Sequence, residues 1–144
     1  MVKQTYLVAL RWQDFDAYGH LNNVAAMRLL EEARIAAFWA DENSNRVYRT
    51  IPEPGQDVSV QGEEATQTIV ISHSITYHKP INYGAKTIAI ELWVSQLQAA
   101  SATINYRVGD QITASTTLAL IDAKSGQVRR WGKTQREKFR SLMV

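Results

Sequence analysis

Asn23-Val-Ala-Ala-Met-Arg-Leu-Leu-Glu-Glu-Ala-Arg-Ile-Ala-Ala-Phe-Trp-Ala40 contains neither glycine nor proline, and Val24, Met27, Leu30, Ile35, Phe38 and Trp39 stand among its alanines. Such a run predicts a helix of about five turns. Its charges are confined to Arg28, Glu31, Glu32 and Arg34. Most of the circumference is therefore apolar and has to be covered on several sides, which a helix lying on a surface does not require. Arg28 and Glu32, four residues apart, are placed to pair on whatever side stays wet, worth about 0.2–0.5 kcal/mol.

The cover has to come from the flanking sequence. Upstream, Tyr6, Val8, Leu10 and Trp12 alternate with Thr5, Leu7, Ala9 and Arg11, the period of two expected of a strand with one face on a core. Downstream, four more half-buried strands are predicted: Ile69, Ile71, Ile75 and Tyr77, interrupted by His73; Ile88, Ile90, Leu92 and Val94; Ala102, Ile104, Tyr106 and Val108; and Ile112, Ala114, Leu118 and Leu120. Their links are short: Pro80 to Lys86 around Gly84, Gln96 to Ser101, and Gly109-Asp110 as a two-residue hairpin, so the strands are expected to be antiparallel neighbours. Asp122-Ala-Lys-Ser-Gly126 reads as a turn, Val128 to Trp131 as an extension of the edge, and Thr134 as the cap of a short terminal helix. Asp41 to about Glu64 is polar, with Pro52, Pro54, Gly55 and Gly62, and reads as a long loop with one short helical turn. A loop of this length is either a lid or binding element or a plain connection. The packing solution is a curled antiparallel sheet of about five strands around one long central helix, an α+β domain over residues 1–144. A curled sheet keeps open edges, and pairing with a second copy covers them, so a homodimer is expected.

With 144 residues, 45% hydrophobic and 21% charged, the composition suits one soluble globular domain. Neither a signal peptide nor a membrane span is expected, and the default location is the cytoplasm. The lack of cysteine excludes disulfides, thiolate metal sites and a cysteine nucleophile. Net charge is only +2, yet seven of the sixteen Lys and Arg residues fall at or beyond Lys124. That basic end reads either as a solvated helix or as a contact for a polyanion, such as the phosphates of a nucleotide-like group or nucleic acid.

Chemistry concentrates just before the helix, in Arg11-Trp-Gln-Asp-Phe-Asp-Ala-Tyr-Gly-His-Leu-Asn-Asn23. A strand that ends in Asp14 and Asp16 brings a carboxylate close to free N–H groups and the positive end of a helix dipole. A nucleophile or base and an oxyanion site can share that corner. The competing explanation for both aspartates is turn and capping chemistry, and Asn22 or Asn23 is the expected helix cap. His20 either hydrogen-bonds the turn or transfers a proton, and His73 and His78 receive no role. Asp14, Asp16, His20 and a strand histidine lack the tight spacing of a metal site, so no metal is expected.

Three segments resemble the hotdog-fold acyl-CoA thioesterases of the 4-hydroxybenzoyl-CoA thioesterase-like branch. Arg11-Trp-x-Asp-x-Asp16-x-x-Gly-His-x-Asn-Asn23 with Leu29-Leu-Glu-Glu-Ala-Arg34 is similar to the catalytic turn and central helix. Tyr77-His-Lys-Pro-Ile-Asn-Tyr-Gly84 is similar to the stretch between the second and third strands, and Leu120-Ile-Asp-Ala-Lys-Ser-Gly126 with Arg129-Arg130 to the last turn before the terminal helix. The resemblance implies a hotdog fold and hydrolysis of an acyl-CoA thioester to the free acid and coenzyme A. No cofactor is implied, coenzyme A being part of the substrate. It implies Asp16 as nucleophile or general base, with His20 and Asn23 beside it and Gly19 and Asn22 forming the turn and oxyanion site. Ala26, where relatives often carry tyrosine, would widen the acyl pocket. Lys79, Tyr83, Arg129 and Arg130 would bind substrate, the basic residues at the coenzyme A phosphates. Sites in this family lie at a subunit interface, so a dimer or tetramer follows, with neither a nucleic-acid nor a membrane partner.

Two other functions compete. A hotdog enoyl-thioester hydratase or dehydratase commonly uses Asp-x-Asn-Pro-x-His, and Asp16-Ala-Tyr-Gly-His20 lacks the Asn-Pro and is one residue shorter. A non-catalytic module that binds acyl thioesters would have no use for Asp16, and one that binds nucleic acid would carry clustered aromatic and basic residues on a strand face, which are missing.

Overall fold

The computed structural model describes residues 3–38 and 66–144. Strand β1 (Gln4–Ala9) leads through a single 3-10 turn (Trp12–Asp14) to helix α1 (Asn23–Phe38); β2 (Thr66–Tyr77), β3 (Thr87–Leu97), β4 (Ser101–Val108), β5 (Ile112–Asp122), β6 (Val128–Arg129) and α2 (Lys133–Ser141) follow. Trp39, Ala40 and the loop expected from Asp41 to Glu64 lie outside the described residues.

The apolar alternation does what a period of two demands. Ile88, Ile90, Leu92 and Val94 of β3 and Ala102, Ile104, Tyr106 and Val108 of β4 are all buried, and α1 adds Ala26, Leu29, Leu30, Ala33 and Ala37 to the same core. Burying a side chain such as Leu29 contributes about 1.5–3 kcal/mol. The far end of α1 is closed by aromatic contacts: Phe38 lies 5.0 Å from Phe139 of α2, and Trp131 lies 4.7 Å from Phe139.

All neighbouring strands are antiparallel, in the order β1-β3-β4-β5-β2, with β6 on β5 beyond the end of β4. This order corrects the expectation that β2 and β3 are neighbours. β2 pairs with β5 along its length, from Thr66 opposite Asp122 to Tyr77 opposite Ile112, and is an edge of the sheet. The short 78–86 link therefore runs over the end of the sheet. There the Leu21 N–H donates to the Ile81 carbonyl (2.7 Å), the Tyr83 N–H to the Gly19 carbonyl (2.7 Å) and the Leu10 N–H to the Lys86 carbonyl (2.8 Å).

Other expectations are corrected by local bonding. β1 stops at Ala9 and Trp12 is 79% exposed, because the Asp14 N–H and carboxylate bond back to Arg11 and pull the chain out of the ladder. β2 is exposed rather than half-buried, as are Val24 and Met27 on α1. The β4–β5 hairpin is one residue longer than expected, since the pair Val108–Ile112 encloses Gly109, Asp110 and Gln111. The cap of α2 is Gly132, whose N–H donates to Gln135 Oε1 (2.8 Å), and Thr134 lies inside the helix. No helix among the described residues is long and apolar enough to cross a membrane.

Arg34, one of the four charges on α1, is only 6% exposed. Its Nη1 donates to Tyr106 Oη (3.1 Å), the Tyr106 hydroxyl donates to Thr116 Oγ1 (3.0 Å), and Thr116 Oγ1 lies 2.8 Å from His73 Nδ1. A guanidinium only donates, so Tyr106 accepts from Arg34 and passes its own proton to Thr116, and the Thr116–His73 bond takes its direction from the tautomer of the ring. Desolvation, with the Arg34 charge, pushes the His73 pKa below its ordinary value of 6.5, against a smaller opposing effect of Glu31. The folded state thus favours the neutral ring. This stabilisation is full above about pH 6.5 and is lost as pH falls through that value, where the unfolded chain takes up the proton first. His73→Asn keeps a hydrogen-bonding group at the Nδ1 position and is expected to flatten the fall in melting temperature below pH 6.5, as followed by circular dichroism. An unchanged slope in the variant would contradict the assignment.

Candidate active site

Between the 3-10 turn and α1 the chain folds back on itself. The Asp16 N–H donates to the His20 carbonyl (2.8 Å) and the Gly19 N–H to the Asp16 carbonyl (3.1 Å). Gly19 has φ +76°, the left-handed region that a residue without Cβ enters freely. Within this turn Asp16 Oδ1 accepts the N–H groups of Tyr18 (2.9 Å) and His20 (3.1 Å). Turn chemistry thus occupies one carboxylate oxygen, and Oδ2 has no protein partner among the described residues.

Asp16 is exposed and stands between two grooves. One, of about 340 Å³, is lined by the polar Asp16, His20 and Asn23 and by the apolar Leu21, Ala26, Ile81 and Ile112, with Tyr77 and Lys79 from the end of β2 and just beyond it. The other, of about 370 Å³, is lined by Trp12, Phe15, Asp16, Gly19 and Tyr83. Tyr83 packs edge-on against Phe15 at 5.2 Å and 88°.

The helix start is capped by Asn22. Its Oδ1 accepts the N–H groups of Val24 (2.8 Å) and Ala25 (3.3 Å), and its carbonyl accepts that of Ala26 (3.0 Å). Asn23 Oδ1 also reaches the Val24 N–H (3.1 Å). Among the described residues no protein group takes the Asn23 backbone N–H or its side-chain NH2, and Asn23 lines the first groove. The positive end of the helix dipole is therefore open on the Asp16 side. Tyr77, to which the sequence assigned no role, braces this arrangement: its hydroxyl donates to the Asn23 carbonyl (2.6 Å), tying β2 to the first turn of α1.

Asp14 points the other way and is 1% exposed. Burial disfavours its charge, but hydrogen bonds from Arg11 and Arg28 outweigh it and hold the carboxyl below the usual range. Lys79 Nζ pairs with Asp110 (2.6 Å) on the rim. Arg129 pairs with Asp122 (2.6 Å), whose carboxyl, already held by the Ser125 and Lys124 N–H groups, is brought down to about 2. Within one chain Arg129 and Arg130 are not brought to Asp16: they adjoin Trp131, at the Phe38 end of α1, a helix about 24 Å long. No cluster of three metal-binding side chains occurs among the described residues.

A family model for the thioesterase-like superfamily matches residues 10–139. The chain belongs to this superfamily. As a member it is a thioester hydrolase, and its curled sheet around α1 is the hotdog arrangement. Similar solved structures include the PA2801 protein of Pseudomonas aeruginosa, 25% identical, with a TM-score of 0.72 over 92% of this chain and 95% of that one. A DHNA-CoA thioesterase from Staphylococcus aureus is 15% identical, with a TM-score of 0.74 over 99% and 91%. Slr0204, a 1,4-dihydroxy-2-naphthoyl-CoA thioesterase from Synechocystis, is 14% identical, with a TM-score of 0.75 over 97% of both chains. No curated protein matches the chain by sequence. In this thioesterase Asn22 caps α1, so Asn22→Ala is expected to lower stability by about 1 kcal/mol while Asn22→Asp loses only a few tenths. Urea denaturation reads both values, and equal losses would remove Asn22 from the cap position.

Proposed function

We propose that this thioesterase hydrolyses an acyl-CoA to the free acid and coenzyme A, with Asp16 acting on the thioester carbonyl beside the start of α1. One observation carries the proposal: Asp16 Oδ1 is fixed by the Tyr18 and His20 amides while Oδ2 has no partner among the described residues, and Asp16 shares the first groove with Asn23, whose N–H is likewise untaken among them. Asp16 works in one of two ways. It attacks the carbonyl carbon, expelling the coenzyme A thiolate and leaving a mixed anhydride that water opens, or it takes a proton from the water that attacks. In either case the carbonyl oxygen becomes negative, and the Asn23 N–H with the helix dipole is the natural acceptor of that charge. Loss of such a donor in other hydrolases costs about 3–4 kcal/mol of barrier.

A thioester has two arms that leave the carbonyl in opposite directions, and a groove lies on each side of Asp16. The one with Leu21, Ala26, Ile81 and Ile112 suits the acyl group, and the Trp12–Tyr83 groove suits the thiol arm. The coenzyme A thioesters named for the Staphylococcus aureus and Synechocystis structures support coenzyme A as the thiol.

The proposal includes a homodimer. β2 is a 12-residue edge strand with Ile69, Val70 and Ile71 exposed at 39%, 41% and 58%, an open template for a second copy. Antiparallel pairing of two β2 strands sets the Thr66 end of one against the Tyr77 end of the other. Thr66 lies beside Asp122, which holds Arg129, so Arg129 and Arg130 of the partner subunit approach the Asp16 grooves. The phosphates of coenzyme A would then be met from across the interface.

Thiol release from short, long and aromatic acyl-CoAs tests the chemistry. Wild type is expected to turn over at least one of them, and Asp16→Asn to bind it with kcat reduced about 100-fold or more. An Asp16→Asn variant with undiminished kcat, or hydration of an enoyl-CoA without thiol release from any acyl-CoA, would overturn the assignment. Arg129→Ala with Arg130→Ala is expected to raise KM for acyl-CoA and leave KM for the matching acyl-pantetheine, which lacks the phosphates, unchanged. Equal effects on both substrates would remove these arginines from the phosphate site.

A further inference from the structure

We infer that Asp14 and Arg28 are positioning residues, whose ion pair, between a buried carboxylate and a half-buried guanidinium, sets the Asp16 turn against the start of α1; this rests on the proposed role of Asp16. Both oxygens of Asp14 are used: Oδ2 accepts the Arg11 N–H (2.7 Å), and Oδ1 accepts Arg11 Nη2 (3.2 Å) and Arg28 Nη2 (2.9 Å). The Asp14 backbone is anchored as well, its N–H on the Arg11 carbonyl (3.0 Å) and its carbonyl on the Asn22 N–H (2.8 Å).

Asp14 thus grips α1 at two heights. Asn22 is the cap, and Arg28 lies five residues past Asn23, about 7.5 Å along the axis. One attachment leaves the turn free to swing about the helix start; two fix its direction. Arg28 is in turn oriented by Glu32, its ion-pair partner one turn on. Asp16 follows Asp14 by two residues and its own carboxylate is held within the same turn, so the placement set at Asp14 passes along a short, fully bonded path.

Energetics point to geometry as the role of this pair. Burying a carboxylate costs several kcal/mol before its partners offset it, and packed apolar residues commonly stabilise as well as a buried ion pair. What apolar residues do not supply is a directed link between the turn and one point on the helix. Neither Asp14 nor Arg28 lines either groove, so neither touches the substrate, and their effect has to pass through Asp16.

The test uses Asp14→Asn, Arg28→Gln, Arg28→Lys and the double variant Asp14→Asn/Arg28→Gln, each confirmed as folded by circular dichroism at the assay temperature. Thiol release is expected to show kcat lowered about 10- to 100-fold, since a displacement of about 1 Å has effects of this size. KM is expected to stay within about twofold. The double variant should be no slower than the slower single, because both substitutions break one link, and Arg28→Lys should recover part of the rate. Independently of turnover, amide exchange at Tyr18 and His20 followed by NMR should speed up in Asp14→Asn. Folded variants with wild-type kcat, a loss carried by KM, or single effects that add in the double would overturn the inference. If wild type hydrolyses no acyl-CoA, the proposed function fails, and amide exchange decides the positioning role alone: unchanged protection at Tyr18 and His20 refutes it. Should Asp14→Asn fail to fold, Arg28→Lys carries both readouts.

Discussion

The N–H of Asn22 on the carbonyl of Asp14 is the bond on which the functional end of this protein depends. It closes the corner between β1 and α1, and on its two sides lie the groups that the proposed chemistry uses. Toward the helix, the Asn22 side chain satisfies the Val24 and Ala25 amides, while the Asn23 N–H has no partner among the described residues. Toward the strand, the same corner turns Asp14 inward and Asp16 outward. The 78–86 link then lies across this corner, bonded to it through Leu21 and Tyr83. The Asp16 carboxylate and the start of α1 are thereby held together mainly by backbone bonds, with the aspartate side chains as reinforcement.

The fold was legible where one residue's partners are set by burial alone. The alternation in β3 and β4 and the apolar run of α1 predict their own elements, because each position needs only an apolar neighbour of some kind. Strand order was not legible. β2 has the same period as its neighbours and a short link to β3, yet it pairs with β5 and stays at the edge, a choice made by pairing across the whole sheet. Arg34 escaped for a related reason: the hydroxyl that accepts its proton is Tyr106 Oη, 72 positions away, and helix periodicity carries no trace of it.

The site divides along the same line. Asp16, Gly19, His20, Asn22 and Asn23 are close in sequence and fold into one turn and one cap, so their proximity could be read directly. The sequence leaves Asp14 open between the site and turn chemistry, because its partner Arg28 is 14 residues on, and the brace from Tyr77 to Asn23 spans 54. Arg129 and Arg130 sit at the opposite end of α1 from Asp16, and the proposed pairing of two β2 edges is what would carry them to it.

The structure of the protein with a hydrolysis-resistant acyl-CoA analogue, in which a methylene group replaces the thioester sulfur, tests the central claim most directly. The ketone carbon is expected beside Asp16 Oδ2 with its oxygen toward the Asn23 N–H, the acyl group over Ala26 and the other arm leaving past Trp12 and Tyr83. An analogue bound with its carbonyl remote from both Asp16 and the start of α1 would contradict the account.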